Sequence, residues 1–353
     1  MVKCLTVLLS LFALILFSII LAICVITAFA VLQDTAAPNS NHSSKNQCKR
    51  KKNLPPDYSY LTSLPYQRIL LFGGLNNLHT VEQVFPAYPG YNKLLDTPTD
   101  YPLDRVTTTA NRHSSGVVLL SVYNLFKSFL IVYDPFRNVW YEQPKNSVLT
   151  LAVSTMIDDK YMLCKRKANF GIICAAFDLQ KQQWTVSHSS HNGSILVPFG
   201  LVSYSGALYL LSARVRSPGP DEINIHWLKQ SNQHWVKLPS PPLLLIDGAF
   251  IVWRHKLLVC GGHLPNTEDI NTNRCLSFFF GNQSWSEFAP MVRARQAQQM
   301  VVFNQRLLAV GGTADDLLPI SRELEEYDES VGGWKILNVT TAIGRKYAFV
   351  VAV

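Results

Sequence analysis

Residues 299–312 read Gln299-Met300-Val301-Val302-Phe303-Asn304-Gln305-Arg306-Leu307-Leu308-Ala309-Val310-Gly311-Gly312, an apolar stretch of strand length that stops at a glycine pair. Tyr327-Asp328 and Trp334 follow. The same landmarks stand in Lys256-Leu257-Leu258-Val259-Cys260-Gly261-Gly262, then Phe278 and Trp285. Working outward, five tryptophans recur: Trp140, Trp184, Trp235, Trp285 and Trp334, at intervals of 44, 51, 50 and 49 residues. Tyr133, Phe177, Phe278 and Tyr327 lie seven residues before their Trp, and Trp227 lies eight before Trp235. A fixed period of this length is the signature of a repeat architecture. Each repeat reads as apolar strand, Gly-Gly, loop, aromatic strand, turn, Trp strand.

The pattern resembles the kelch repeat, a four-stranded blade of about 50 residues in a β-propeller. The resemblance is fullest in the last two copies. The first copy has Arg68-Ile69-Leu70-Leu71-Phe72-Gly73-Gly74 but no Trp, the second and third lack the glycine pair, and the fourth has Ser212-Ala213 in its place. The landmarks imply an all-β fold: a six-bladed kelch-like propeller over residues 65–353. Only one strand precedes the first Gly-Gly, and the chain ends with Arg345-Lys346-Tyr347-Ala348-Phe349-Val350-Val351-Ala352-Val353. That last run is expected to be the innermost strand that completes the first blade, leaving only short, protected sheet edges.

Ahead of the repeats, Leu5 to Leu32 is almost wholly apolar, with no charge between Lys3 and Asp34. It exceeds the apolar core of a secretory signal and the ~20 residues needed to cross a bilayer. Residues 1–32 are therefore expected to be a signal-anchor transmembrane helix, with cleavage after Ala28 or Ala30 as the alternative. Residues 33–64, rich in Asn, Ser, Lys and Pro, read as a disordered basic stalk containing Lys49-Arg50-Lys51-Lys52. Of the net charge of +8, half lies in the first 65 residues, so the propeller is mildly basic. No basic stripe with interleaved aromatics is present, which argues against nucleic acid as a partner.

Lys45 and the Lys49–Lys52 cluster on the far side of the span favour a cytosolic propeller by the positive-inside rule. The cysteines point the other way. Aligned on their Trp, Cys174 and Cys275 share one slot, while Cys164 and Cys260 share the slot before the glycine pair. Two paired occurrences on neighbouring strands predict disulfides Cys164–Cys174 and Cys260–Cys275 and an oxidising compartment. Buried free thiols are the alternative. Asn41, Asn192, Asn282 and Asn338 head Asn-x-Ser/Thr sequons in the stalk or in expected turns. Together these favour a single-pass type II membrane protein with a luminal or extracellular propeller.

No P-loop, dinucleotide-binding, nucleophile-elbow or zinc-protease motif occurs, and the nine His residues lack ligand spacing. No cofactor or metal site is expected. In kelch domains, partner contacts come from the loops after the Gly-Gly strand and the segments leading into each innermost strand. The resemblance carries these roles to Asn76, Asn77, His79, Lys165, Arg166, Lys167, Arg214, Arg216, His263, Asp315 and Asp316, and to Arg112, His113, Arg293, Arg295, Arg345 and Lys346. The excess of Arg suits an acidic peptide or a carboxylate-bearing glycan, because guanidinium binds carboxylate bidentately. Arg293 and Arg295 also belong to the repeat pattern, so a structural role stays open for them. The expected function is a membrane-tethered, non-catalytic interaction module. A carbohydrate-active propeller enzyme and a membrane-tethered cytosolic kelch adaptor are the alternatives.

Overall fold

The computed structural model describes residues 49–51, 68–74, 80–87, 90, 92–98, 109–123, 128–144, 146, 152–166, 172–189, 197–214, 222–229, 234–265, 270–314 and 320–353. These residues form strands, turns and loops, with no helix among them. Blade I is built from β2 (Ile69–Phe72), β3 (Thr80–Val84) and β4 (Lys93–Asp96), and blade II from β5 (Thr109–Arg112), β6 (Val118–Tyr123), β7 (Ser128–Asp134) and β8 (Val139–Glu142). Blade III holds β9 (Val153–Ile157), β10 (Lys160–Arg166), β11 (Ile172–Asp178) and β12 (Gln183–Ser189). Blade IV holds β13 (Val197–Tyr204), β14 (Ala207–Arg214), β15 (Glu222–Lys229) and β16 (His234–Lys237). Blade V holds β17 (Ala249–Trp253), β18 (Lys256–Cys260), β19 (Cys275–Phe279) and β20 (Ser284–Phe288). Blade VI holds β21 (Gln299–Phe303), β22 (Arg306–Val310), β23 (Glu323–Asp328) and β24 (Gly333–Thr340). The last strand, β25 (Phe349–Ala352), pairs antiparallel with β2, with Phe72 opposite Phe349, so blade I runs β25-β2-β3-β4. The chain folds as a six-bladed β-propeller.

Side-chain alternation explains how the ring holds together. Successive residues of a strand face opposite sides of the sheet. In β2, Leu70 and Phe72 enter a cluster shared with blade II, while Ile69 and Leu71 enter one shared with blade VI. Strand β25 divides the same way, Val351 toward blade II and Val350 and Ala352 toward blade VI. Such clusters lie at all six blade-to-blade junctions, so each blade is buried on both faces and its inner strands read as apolar runs rather than alternating ones.

The repeat landmarks each carry a physical task. Tyr133 lies opposite Trp140, Phe177 opposite Trp184, Phe278 opposite Trp285 and Tyr327 opposite Trp334. Three of the indoles then reach the previous blade: Nε1 of Trp184, Trp285 and Trp334 donates to the carbonyls of Pro144, Pro239 and Ala289, just past that blade's outermost strand. The fourth copy differs from expectation, because Leu228 rather than Trp227 faces Trp235, and Trp227 pairs with Val236. The glycine pairs have positive φ and sit between the segments entering and leaving their blade. A Cβ on Gly311 would lie 2.3 Å from the Arg345 carbonyl oxygen, and one on Gly262 would lie 2.2 Å from that of Ile246. Where the pair is missing, the second strand runs on past the slot, through Arg166 in β10 and Arg214 in β14.

Both expected disulfides are present, each joining residues directly opposite across the second and third strands: Cys164–Cys174 and Cys260–Cys275, each with Cα atoms 4.1 Å apart. One departure lies in the segment read as a disordered stalk. Residues Lys49–Lys51 form β1, a fifth strand parallel to β8, with Arg50 opposite Trp140. A charged triplet has no apolar period, so nothing in its sequence marks it as a strand; the open edge of β8 supplies the template.

Candidate functional site

The six innermost strands, β25, β5, β9, β13, β17 and β21, surround a central channel of about 420 Å³. Each runs from a glycine rim, where the second strands end and the segments between blades cross, to a hairpin rim, where it turns into its own second strand. The wall is unequal around the ring. Blades II and III contribute Asn111, Arg112, Ser154 and Thr155, and blades IV and V contribute Phe199 and Phe250. Asn111 Nδ2 donates to Ser154 Oγ at 2.6 Å, tying β5 to β9.

The residues expected to bind a partner separate into groups. On the glycine rim, Arg166 and Arg293 are exposed and Lys165 is half-buried, its ammonium pKa lowered by that burial. Arg214 ends β14 on the same rim. Arg293 Nε lies 3.3 Å from Glu323 in a surface pair. Arg216, Asn76, Asn77, His79, Lys167, Asp315 and Asp316 lie outside the described residues, as do the sequons at Asn41 and Asn192. Asn282 is exposed in the turn after β19, where Ser284 Oγ donates to its Oδ1 at 2.8 Å, and Asn338 is exposed on β24.

Four of the expected rim residues stand elsewhere. Arg112 does not lead into an innermost strand but ends one, at the hairpin rim, and His113 follows it in the hairpin. The five-residue hairpin of blade II, longer than the two-residue turns of blades V and VI, shifts the register by which the copies were aligned. His113 is buried against Ser115 (Nδ1 to Oγ 2.8 Å) and faces Asp159 of blade III (Nε2 to Oδ2 3.3 Å). Burial pushes its pKa below the ordinary histidine value against the opposing pull of Asp159.

Arg295 and Arg345 are also withdrawn from the rim, each only 1 % exposed. Arg345 lies on Glu82 at 3.2 Å, donates to Thr80 Oγ1 at 2.9 Å and donates to the carbonyl of Gly73. Burial lowers its pKa from the ordinary guanidinium value, and Glu82 opposes that shift. Arg295 repeats the arrangement with Glu325 and the carbonyl of Gly311 (2.9 Å). The second oxygen of each carboxylate takes a backbone N–H from the same connector, Ala342 for Glu82 and Val292 for Glu325. Both backbone carbonyls also accept from the previous blade, Gly262 N to Arg295 O and Gly312 N to Arg345 O, each at 2.8 Å. These arginines therefore staple adjacent blades at the glycine pairs. Their partners Glu82 and Glu325 escaped the sequence reading. The available signal, for Glu325 alone, was an acid one residue past the Trp-minus-ten slot; blade I has no Trp to mark Glu82.

Among the described residues, no group of three or more His, Cys, Asp or Glu side chains is placed to hold a metal ion. No described helix is long and apolar enough to cross a membrane, and the apolar run 5–32 lies outside the described residues. No protein-family model matches the chain, and no curated protein does.

Proposed function

We propose that this chain is a membrane-tethered, non-catalytic binding module of the kelch-repeat type, displayed in a luminal or extracellular compartment and taking an acidic peptide or glycan on its glycine rim. The observation that carries this reading is the sorting of the cations. Arg295 and Arg345 are consumed by internal carboxylates, whereas Arg166 and Arg293 project from the glycine rim. Exposed guanidinium groups, Arg166 at the end of β10 and Arg293 in the connector before β21, suit multivalent contact with carboxylates. The two cross-strand disulfides support an oxidising compartment. The tether rests on the apolar length of residues 5–32. The kelch kinship rests on the Gly-Gly, aromatic and Trp landmarks.

The test is full-length protein, made in cells with a secretory pathway, presented to immobilised Glu-rich peptides and sialylated glycans over a salt series. Binding should weaken with salt, and the pair Arg166→Glu and Arg293→Glu should reduce it by about tenfold with the melting temperature unchanged. Absence of binding to both acidic classes, or indifference to the charge reversal, sinks the rim reading. A glycosidase mobility shift abolished by removing Asn192, Asn282 and Asn338 supports the compartment; an unshifted, membrane-bound chain would favour the cytosolic adaptor.

A further inference from the structure

The channel is polarised along its length. Arg112 is the one ionisable side chain among its described lining residues, and it stands at the hairpin end of β5. Asn111, Ser154 and Thr155 neighbour it on the same wall. At the opposite end, β13 breaks register between Pro198 and Gly200, leaving Phe199 without a partner on β14. A bulge re-aims the side chain of its extra residue, and bulges concentrate beside functional sites. Here Phe199 is 37 % exposed at the channel mouth and meets Phe250 edge to face, with ring centroids 5.9 Å apart. Gly200 makes that meeting possible, since a Cβ there would lie 2.5 Å from the Phe250 ring. The arrangement costs an exposed aromatic and an interrupted ladder.

We propose that the channel is a small-molecule site for an elongated amphipathic anion, one carboxylate on an apolar or aromatic body. The apolar body rests on Phe199 and Phe250, and the carboxylate reaches Arg112. Phe199 precedes the residue level with the start of β5 by one position, so the two anchors are offset by roughly 10–13 Å along the channel axis at the rise of a β-strand. A channel of about 420 Å³ is within the range of small-ligand pockets. Absence of any carboxylate from the described lining makes a cationic ligand a poor match, and the lone guanidinium gives a monoanion one specific end to recognise. This site is distinct from the glycine-rim cations and stands or falls separately from them.

The probe is 6-phenylhexanoate, with the neutral 6-phenylhexanamide as its control, followed by ligand-observed NMR on full-length protein in lipid nanodiscs with empty nanodiscs subtracted. The acid should bind at least about tenfold more tightly than the amide, as expected for a hydrogen bond to a charged group. Arg112→Gln should bring the acid down to the level of the amide, and Phe199→Ala should weaken both alike. Equal binding of acid and amide to the unaltered protein overturns the proposal, as does an Arg112→Gln protein that keeps the preference. If Arg112→Gln fails to fold by its melt, Phe199→Ala decides: loss of affinity for both probes supports the site, and no change refutes it. The Arg166→Glu, Arg293→Glu protein should bind the acid normally, which separates this site from the rim.

Discussion

At the scale of single residues, the ring uses two chemically opposite solutions to one packing problem. Four positions before the innermost strand stand Arg295 in blade VI, Arg345 in blade I and Leu245 in blade V. Opposite the penultimate residue of the second strand stand Glu325, Glu82 and Leu276. Blades VI and I thus hold a buried ion pair where blade V holds two leucines of one apolar cluster. An ion pair moved from water into the interior loses hydration that its Coulomb attraction offsets only when every remaining lone pair and N–H is satisfied. Glu325 takes bonds from Arg295, Val292 N and Arg293 N, so its carboxylate is satisfied, while the Arg295 Nε–H is left without a partner among the described residues. Arg295→Leu alone should therefore cost about 3–5 kcal/mol, because it strands the Glu325 carboxylate. The double variant Arg295→Leu, Glu325→Leu, which copies blade V, should recover most of that loss. Urea unfolding of the two singles and the double measures the coupling; a double variant as unstable as the worse single would show that the leucine solution is not portable. Sequence alone could see Arg295 but not its destination, because the partner lies thirty residues away and a charged residue before a strand ordinarily faces water.

Elements rather than residues decide where function-bearing groups emerge. The glycine pair ends β2, β18 and β22 early, and its absence lets β10 and β14 carry Lys165, Arg166 and Arg214 to the rim on rigid strand ends. This was legible, because Gly at a strand end reports a close backbone approach and its loss reports the opposite. The register of blade II was not, since its Trp fixes only the outer strands and the inner hairpin is longer than in its neighbours. That hairpin has a consequence of its own. His113 is buried between its own turn and the blade III turn at Asp158-Asp159, and that burial lowers its pKa against the pull of Asp159. A base whose folded pKa lies below its unfolded value of about 6.5 leaves the unfolded state with the greater share of protons in between. Stability is then complete above the unfolded pKa and falls as pH drops from there toward the folded pKa. The melting temperature should decline between pH 7 and pH 5, and His113→Gln should flatten that decline. A slope unchanged by the substitution would assign the pH dependence to another group. An acidic compartment would then loosen the blade II–III junction first.

For the molecule as a whole, the governing fact is that every blade is stabilised by two neighbours, so the ring has no spare junction. The closure was readable because one strand is missing before the first Gly-Gly and one is left over at the end. The fifth strand on blade II was not, because Lys49–Lys51 owes its conformation to an edge elsewhere in the fold. Closure makes β25 unequal to any other strand. Removing residues 346–353 leaves β2 as an edge, withdraws Val351 and Val353 from the I–II cluster, and withdraws Val350 and Ala352 from the VI–I cluster. At 1.5–3 kcal/mol for each fully buried valine-sized side chain, the loss is roughly 5 kcal/mol. A chain of this size should then melt about 10 °C or more lower. The loss should not stay local, since a ring opened at blade I exposes both of its junctions and frees its neighbours in turn. Amide exchange should rise in blades II and VI before the blades opposite. A synthetic peptide of residues 345–353 should restore part of the melting temperature when added in trans, because β2 keeps its pairing edge and its apolar faces. A truncated chain that melts with the parent, or one whose exchange rises in blade I alone, would mean that the ring is held by five junctions and that β25 merely covers its seam.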